Sequence, residues 1–141
     1  MSGAQPRGIL MGSRATDIKR VLLVDDDANI RFITEMSLQG LTDWEITLAG
    51  TAQEALSAVT QVKPDLALLD VMMPGMDGVT LLRKMREQVD EAHMPLVIFM
   101  TAKVQTQEIE AYKNLGAVGV ITKPFDPMKL AEQIEGILNT A

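Results

Sequence analysis

Val21-Leu22-Leu23-Val24 runs straight into Asp25-Asp26-Asp27, and this junction decides how the rest of the chain reads. An apolar run with no polar alternation describes a strand covered on both faces, as in a parallel sheet. The pattern recurs three times. Leu66-Ala67-Leu68-Leu69 stops at Asp70, Leu96-Val97-Ile98-Phe99-Met100 at Thr101, and Val118-Gly119-Val120-Ile121-Thr122 at Lys123. In a doubly wound sheet the carboxyl ends of the strands open into one crevice where ligands bind. Carboxylates, a hydroxyl and an ammonium far apart in sequence are therefore expected to meet.

Helical patterns fill the gaps. The first follows Asp27 and is expected to turn Ile30, Ile33, Ser37, Leu38 and Leu41 inward. The second opens on the capping box Thr51-Ala52-Gln53-Glu54. The third starts near Gly78 with Asp77 as its N-cap and Val79, Leu82, Met85 and Val89 facing the core. The fourth spans about 105–114 and closes on Gly116 as a left-handed cap. The last opens on Asp126-Pro127 and buries Leu130, Ile134, Ile137 and Leu138. Trp44 to Ala49 alternates only by halves, as an edge strand does, and ends at Gly50 with nothing ionisable, which places it away from the crevice. Alternating units with short connections predict an α/β fold: a (βα)5 three-layer sandwich with right-handed crossovers, its five-stranded parallel sheet in the flavodoxin-like order 2-1-3-4-5.

The 141 residues suit one domain. Residues 1–18, rich in Gly, Ser, Ala and Arg without periodicity, read as a flexible tail, either a native extension or an appended remnant, leaving 19–141 as the domain. A net charge of −6 with no basic stripe argues against direct nucleic-acid binding, which depends on neutralising phosphates. The absence of cysteine excludes disulfides and thiolate metal sites. No apolar stretch approaches the ~18 residues of a membrane span, and Ile9-Leu10-Met11 is too short for a signal-peptide core. A cytoplasmic protein is the expectation.

Asp25, Asp26 and Asp70 in one crevice would repel one another unless a cation joined them. Hard carboxylate oxygens suit Mg²⁺. An isolated Asp pair at a strand end commonly caps a helix, but here Asp27 can cap while a third acid arrives from another strand. Beside a cation, Asp70 can attack phosphorus to form an acyl phosphate. Phosphoryl transfer needs little beyond alignment and charge neutralisation, to which Lys123 and the Thr101 hydroxyl would contribute. Met72, Met73 and Met76 read as loop-shaping residues, because thioethers are too soft for such a site.

In order and spacing, Val24-Asp25-Asp26, Asp70 with Met73-Pro74-Gly75-Met76-Asp77-Gly78, Thr101-Ala102 and Lys123-Pro124-Phe125 resemble the receiver domain of two-component response regulators, over about residues 19–139. The resemblance implies that Asp70 is phosphorylated by a histidine kinase or histidine phosphotransfer protein. It implies Mg²⁺ held by Asp25, Asp26, Asp70 and the Met72 carbonyl, Thr101 and Lys123 on the phosphoryl group, and a cis Lys123–Pro124 peptide. Output would be altered protein binding on the face of the fourth helix, fifth strand and fifth helix. Such a module modifies itself, catalysing its own phosphorylation and dephosphorylation, and turns over no external substrate.

Two positions depart from the pattern. The residue three before the lysine, often an aromatic partner to the threonine switch, is Val120, so a smaller or redistributed change is expected with Thr101 alone. Met72 and Lys103 flank the path of a hydrolysing water, and the apolar Met72 predicts a long-lived aspartyl phosphate. His93 reads as a solvated loop residue, Tyr112 as the inner side of the fourth helix, and Arg31 as exposed surface by default, with contact to the rim of the acidic pocket as the alternative. A phosphohydrolase would need an acid where Met72 stands. A flavin-binding domain would need a hydroxyl- and glycine-rich loop where three acids stand. Within the family, the alternative is a receiver fragment of a larger DNA-binding regulator or hybrid kinase; an ending on Leu138-Asn139-Thr140-Ala141 without a linker favours a stand-alone chain.

Overall fold

The computed structural model describes residues 17–102 and 105–140. Five strands, β1 (Arg20–Val24), β2 (Glu45–Ala49), β3 (Leu66–Asp70), β4 (Leu96–Thr101) and β5 (Gly119–Thr122), alternate with α1 (Ala28–Leu41), α2 (Ala52–Gln61), α3 (Gly78–Gln88), α4 (Thr106–Asn114) and α5 (Leu130–Thr140). All pairings are parallel and the sheet order is β2-β1-β3-β4-β5, as the sequence predicts.

Because successive strand residues point to opposite faces, each buried run feeds two cores. Val21, Leu23, Leu66, Leu68, Ile98 and Met100 pack beneath Leu38 of α1 and Leu130, Ile134 and Leu138 of α5. Leu22, Val24, Leu69, Val97 and Phe99 pack beneath α2 and α3, with Tyr112 of α4 joining from the rim. Tyr112 sits on Phe99 with ring centroids 5.0 Å apart. Fully burying one such side chain contributes roughly 1.5–3 kcal/mol. β2 is the edge strand expected, and Ile46 and Leu48 are only partly covered.

Caps set the helix starts that surround the crevice. Asp27 Oδ1 accepts the amides of Asn29 and Ile30, and Asp77 Oδ1 that of Thr80. Thr51 Oγ1 accepts the Glu54 amide, while Glu54 reaches back to Gly50 rather than to Thr51. Gly116 adopts φ +106° after α4. The Lys123–Pro124 peptide is cis.

Four expectations need correction. α1 turns Thr34 and Leu38 inward and leaves Ile33 and Leu41 exposed with Phe32 and Met36. The inward stripe follows a spacing of four from Ile30, so an apolar groove of about 420 Å³ opens between α1 and Pro127-Met128. In α3, Leu81 is fully buried and Val79 only partly. Regular α5 begins at Leu130, because Asp126 caps a turn, accepting the Met128 amide at its carboxylate and the Lys129 amide at its carbonyl. Ile18, assigned to the tail, is 6% exposed and lies in the core beneath α1 and α5. Residues 1–16 lie outside those described, as does Lys103.

Candidate functional site

Sheet register brings the polar strand ends level. Val24 pairs with Leu69, Asp70 with Met100, and Thr101 with Thr122, so Asp25, Asp70, Thr101 and Lys123 emerge within two residues of one another along the crevice. The peripheral β2 contributes Gly50 instead of a charge.

Asp25 is 1% exposed, Asp70 4% and Thr101 2%. Lys123 Nζ donates to Asp25 Oδ2 at 2.7 Å and lies 3.4 Å from Asp70 Oδ2. The other carboxylate oxygens are held by backbone: Asp25 Oδ1 accepts the Asp27 amide at 2.9 Å, and Asp70 Oδ1 the Met72 amide at 3.2 Å. Burial, then the neighbouring Asp25 charge, pushes the Asp70 carboxyl above its ordinary range, with Lys123 opposing. Burial alone would lower the Lys123 ammonium, but its bonds and charge pairing with Asp25 and Asp70 outweigh this and raise it.

Asp25, exposed Asp26 and Asp70 each present a carboxylate oxygen within 4.8 Å of the others. Three hard oxygen donors around one point, already drawing an ammonium between two of them, fit a small divalent cation. Met72, whose amide bonds Asp70, is 66% exposed and offers carbon and sulfur to solvent. Val120 is half-buried, and His93 is exposed, its ring paired with Asp90.

Arg31 departs from its default reading. Its Nη1 donates to the Asp25 carbonyl at 2.6 Å, so it belongs to the crevice wall rather than the open surface. The available signal was its place one helical turn after Asp27, with a side-chain-free Gly50 opposite.

A family model for the response regulator receiver domain matches residues 21–135. The chain belongs to the response regulator receiver family. This receiver is 35% identical over 120 residues to the DNA-binding response regulator MtrA of Mycolicibacterium paratuberculosis, covering 85% of this chain and 51% of that protein. It is 34% identical over 120 residues to the phosphate regulon transcriptional regulatory protein PhoB of Pseudomonas aeruginosa, covering 85% of this chain and 52% of that protein. The receiver thus spans about half the length of the curated relatives it matches. Among solved structures it superimposes on chemotaxis protein CheY4 of Vibrio cholerae with TM-score 0.76 at 27% identity, covering 85% of this chain and 98% of that one. A CheY-like receiver domain protein of Methanospirillum hungatei gives 0.73 at 32% identity, covering 87% and 95%. Receiver domains act in two-component signalling with histidine kinases, as phosphoacceptors rather than enzymes of external turnover. No helix among the described residues is long and apolar enough to cross a membrane.

Proposed function

We propose that Asp70 is the phosphoacceptor of this receiver, with Asp25, Asp26, Asp70 and the Met72 carbonyl holding Mg²⁺. The observation that carries this is the buried Asp70 carboxylate at the end of the central strand β3, 3.4 Å from Lys123 and grouped with two further acids. Mg²⁺, when bound, would supply positive charge to the transferring oxygens. A carboxylate oxygen of Asp70 attacks phosphorus, and the phosphorus–nitrogen bond to the donor histidine breaks as the imidazole leaves. Lys123 is poised to exchange its contact with Asp70 for a phosphoryl oxygen, and Thr101, on the neighbouring strand end, to donate its hydroxyl.

The donor is a histidine kinase or histidine phosphotransfer protein. Output runs through altered protein binding on the α4–β5–α5 face, where Thr101 acts with Val120 in place of an aromatic partner. The −6 charge supports protein rather than nucleic-acid contacts for this body, and a cytoplasmic setting accords with both.

Incubation with acetyl phosphate or phosphoramidate, with and without Mg²⁺, tests the assignment. A Mg²⁺-dependent, hydroxylamine-sensitive mass increase of one phosphoryl group is expected, lost in Asp70→Asn. Failure to label with every donor removes the phosphoacceptor reading. A second reading, the receiver part of a DNA-binding regulator, is favoured by the half-length match to MtrA. An immunoblot of the protein at the mass of this chain alone would dismiss it.

A further inference from the structure

Asp25 is held from four sides. Its amide donates to the Ala49 carbonyl at 3.1 Å, Oδ1 accepts the Asp27 amide, and Oδ2 accepts Lys123. The fourth contact is the Arg31 guanidinium on the Asp25 carbonyl at 2.6 Å, within charge-assisted range. That carbonyl belongs to the peptide joining Asp25 to Asp26, so holding its plane constrains the backbone from which both acids project.

The guanidinium has little room. A Cβ at Gly50 would stand 2.9 Å from Arg31 Nη1 and 3.2 Å from Cζ. Gly50 is itself pinned, its amide donating to Glu54 Oε1 at 2.7 Å at the start of α2. The Arg31 backbone is anchored as well, its amide closing the first helical bond of α1 to the Asp27 carbonyl at 3.0 Å. The arginine thus bridges the β1–α1 and β2–α2 connections, and the missing side chain at Gly50 is the space it occupies.

We infer that Arg31 is a positioning residue for the acidic pair, locking the Asp25–Asp26 peptide so that both carboxylates face a divalent cation, with Gly50 admitting the guanidinium. This rests on reading the three acids as a metal site. The role has a sign that separates it from simple electrostatics. A guanidinium acting only as a nearby charge opposes a cation, and its removal would tighten metal binding. One that positions ligands must weaken binding when it is lost.

The test uses the full chain and Mn²⁺ alone as probe, with free Mn²⁺ read by electron paramagnetic resonance. Arg31→Ala is expected to weaken Mn²⁺ binding about tenfold, the lower end of the losses on removing supports behind metal ligands. Arg31→Lys, which keeps a donor, recovers part of it, and Gly50→Ala weakens binding with the arginine intact. In phosphoramidate labelling, the half-saturating Mg²⁺ concentration rises while the rate at saturating Mg²⁺ holds. Gly50→Ala and Arg31→Lys decide the matter should Arg31→Ala not fold. Wild-type binding with unchanged or tighter binding in the variants overturns the inference alone. No Mn²⁺ binding by the wild type overturns the metal-site reading and the inference with it.

Discussion

Replacing Lys123 by methionine keeps a chain of similar length and removes the one charge that joins Asp25 to Asp70. The ammonium lies 2.7 Å from Asp25 Oδ2 and 3.4 Å from Asp70 Oδ2, and both carboxyls are nearly inaccessible. Their facing oxygens, no more than 4.8 Å apart, repel by about 3.5 kcal/mol at an effective dielectric of 20. Breaking a buried ion pair on one side costs about 3–5 kcal/mol, so a loss of about 3 kcal/mol in metal-free buffer is expected. For a body of this size that corresponds to roughly 10 °C in melting midpoint. Thermal unfolding followed by circular dichroism in EDTA measures it. Adding Mg²⁺ should raise the variant's midpoint more than the wild type's, because no ammonium competes for Asp25. Lowering the pH should also close the gap: Asp70 already binds its proton above the ordinary range, and protonation removes the repulsion. Equal midpoints for variant and wild type in EDTA at neutral pH would refute this account of the crevice.

Five other substitutions probe different links. Asp70→Asn should stabilise the fold at neutral pH. Ionising an acid with a raised folded pKa is a penalty that is fully present above that pKa and vanishes below the ordinary 3.8, so the advantage should fade across that interval in urea titrations. Gly78→Ala sets a Cβ 2.6 Å from the Asp70 carbonyl oxygen and should destabilise by about 1–3 kcal/mol, whereas Gly136→Ala, with nothing within 4 Å on the exposed side of α5, should gain about 0.5–1 kcal/mol; the same sign for both would count against the close approach of α3 to β3. Thr34→Val should gain about 1 kcal/mol, since the Thr34 hydroxyl is buried without a hydrogen-bond partner. Met72→Asn should shorten the life of the aspartyl phosphate by giving water a hydrogen bond above Asp70; an unchanged dephosphorylation rate would dismiss the role of Met72.

Much of the crevice was legible because register amplifies local pattern. Once Val24, Leu69, Phe99 and Val120 fall level in a parallel sheet, the polar residues one to three positions further along each strand must converge. Asp77 and Thr51 were readable as caps because a cap is a local bond. The α1 face was not. Ile30, Ile33 and Leu41 offer two apolar stripes, and only the positions of β1 and α5 select the one through Thr34 and Leu38. Burying a threonine while exposing Phe32 and Met36 runs against residue hydrophobicity, and pattern alone cannot anticipate it.

By itself the sequence determined the parallel sheet, the strand order and the convergence of Asp25, Asp70, Thr101 and Lys123. Those features follow from short-range rules of side-chain alternation, capping and crossover handedness. Only the tertiary structure decided that Lys123 bridges two buried carboxylates, that Asp70 holds its proton more tightly than an ordinary carboxyl, and that Arg31 rests on the Asp25 carbonyl over Gly50. Each depends on distances of a few ångströms between separate elements and on the water excluded from between them. Neither quantity is carried by a residue's identity or its spacing along the chain.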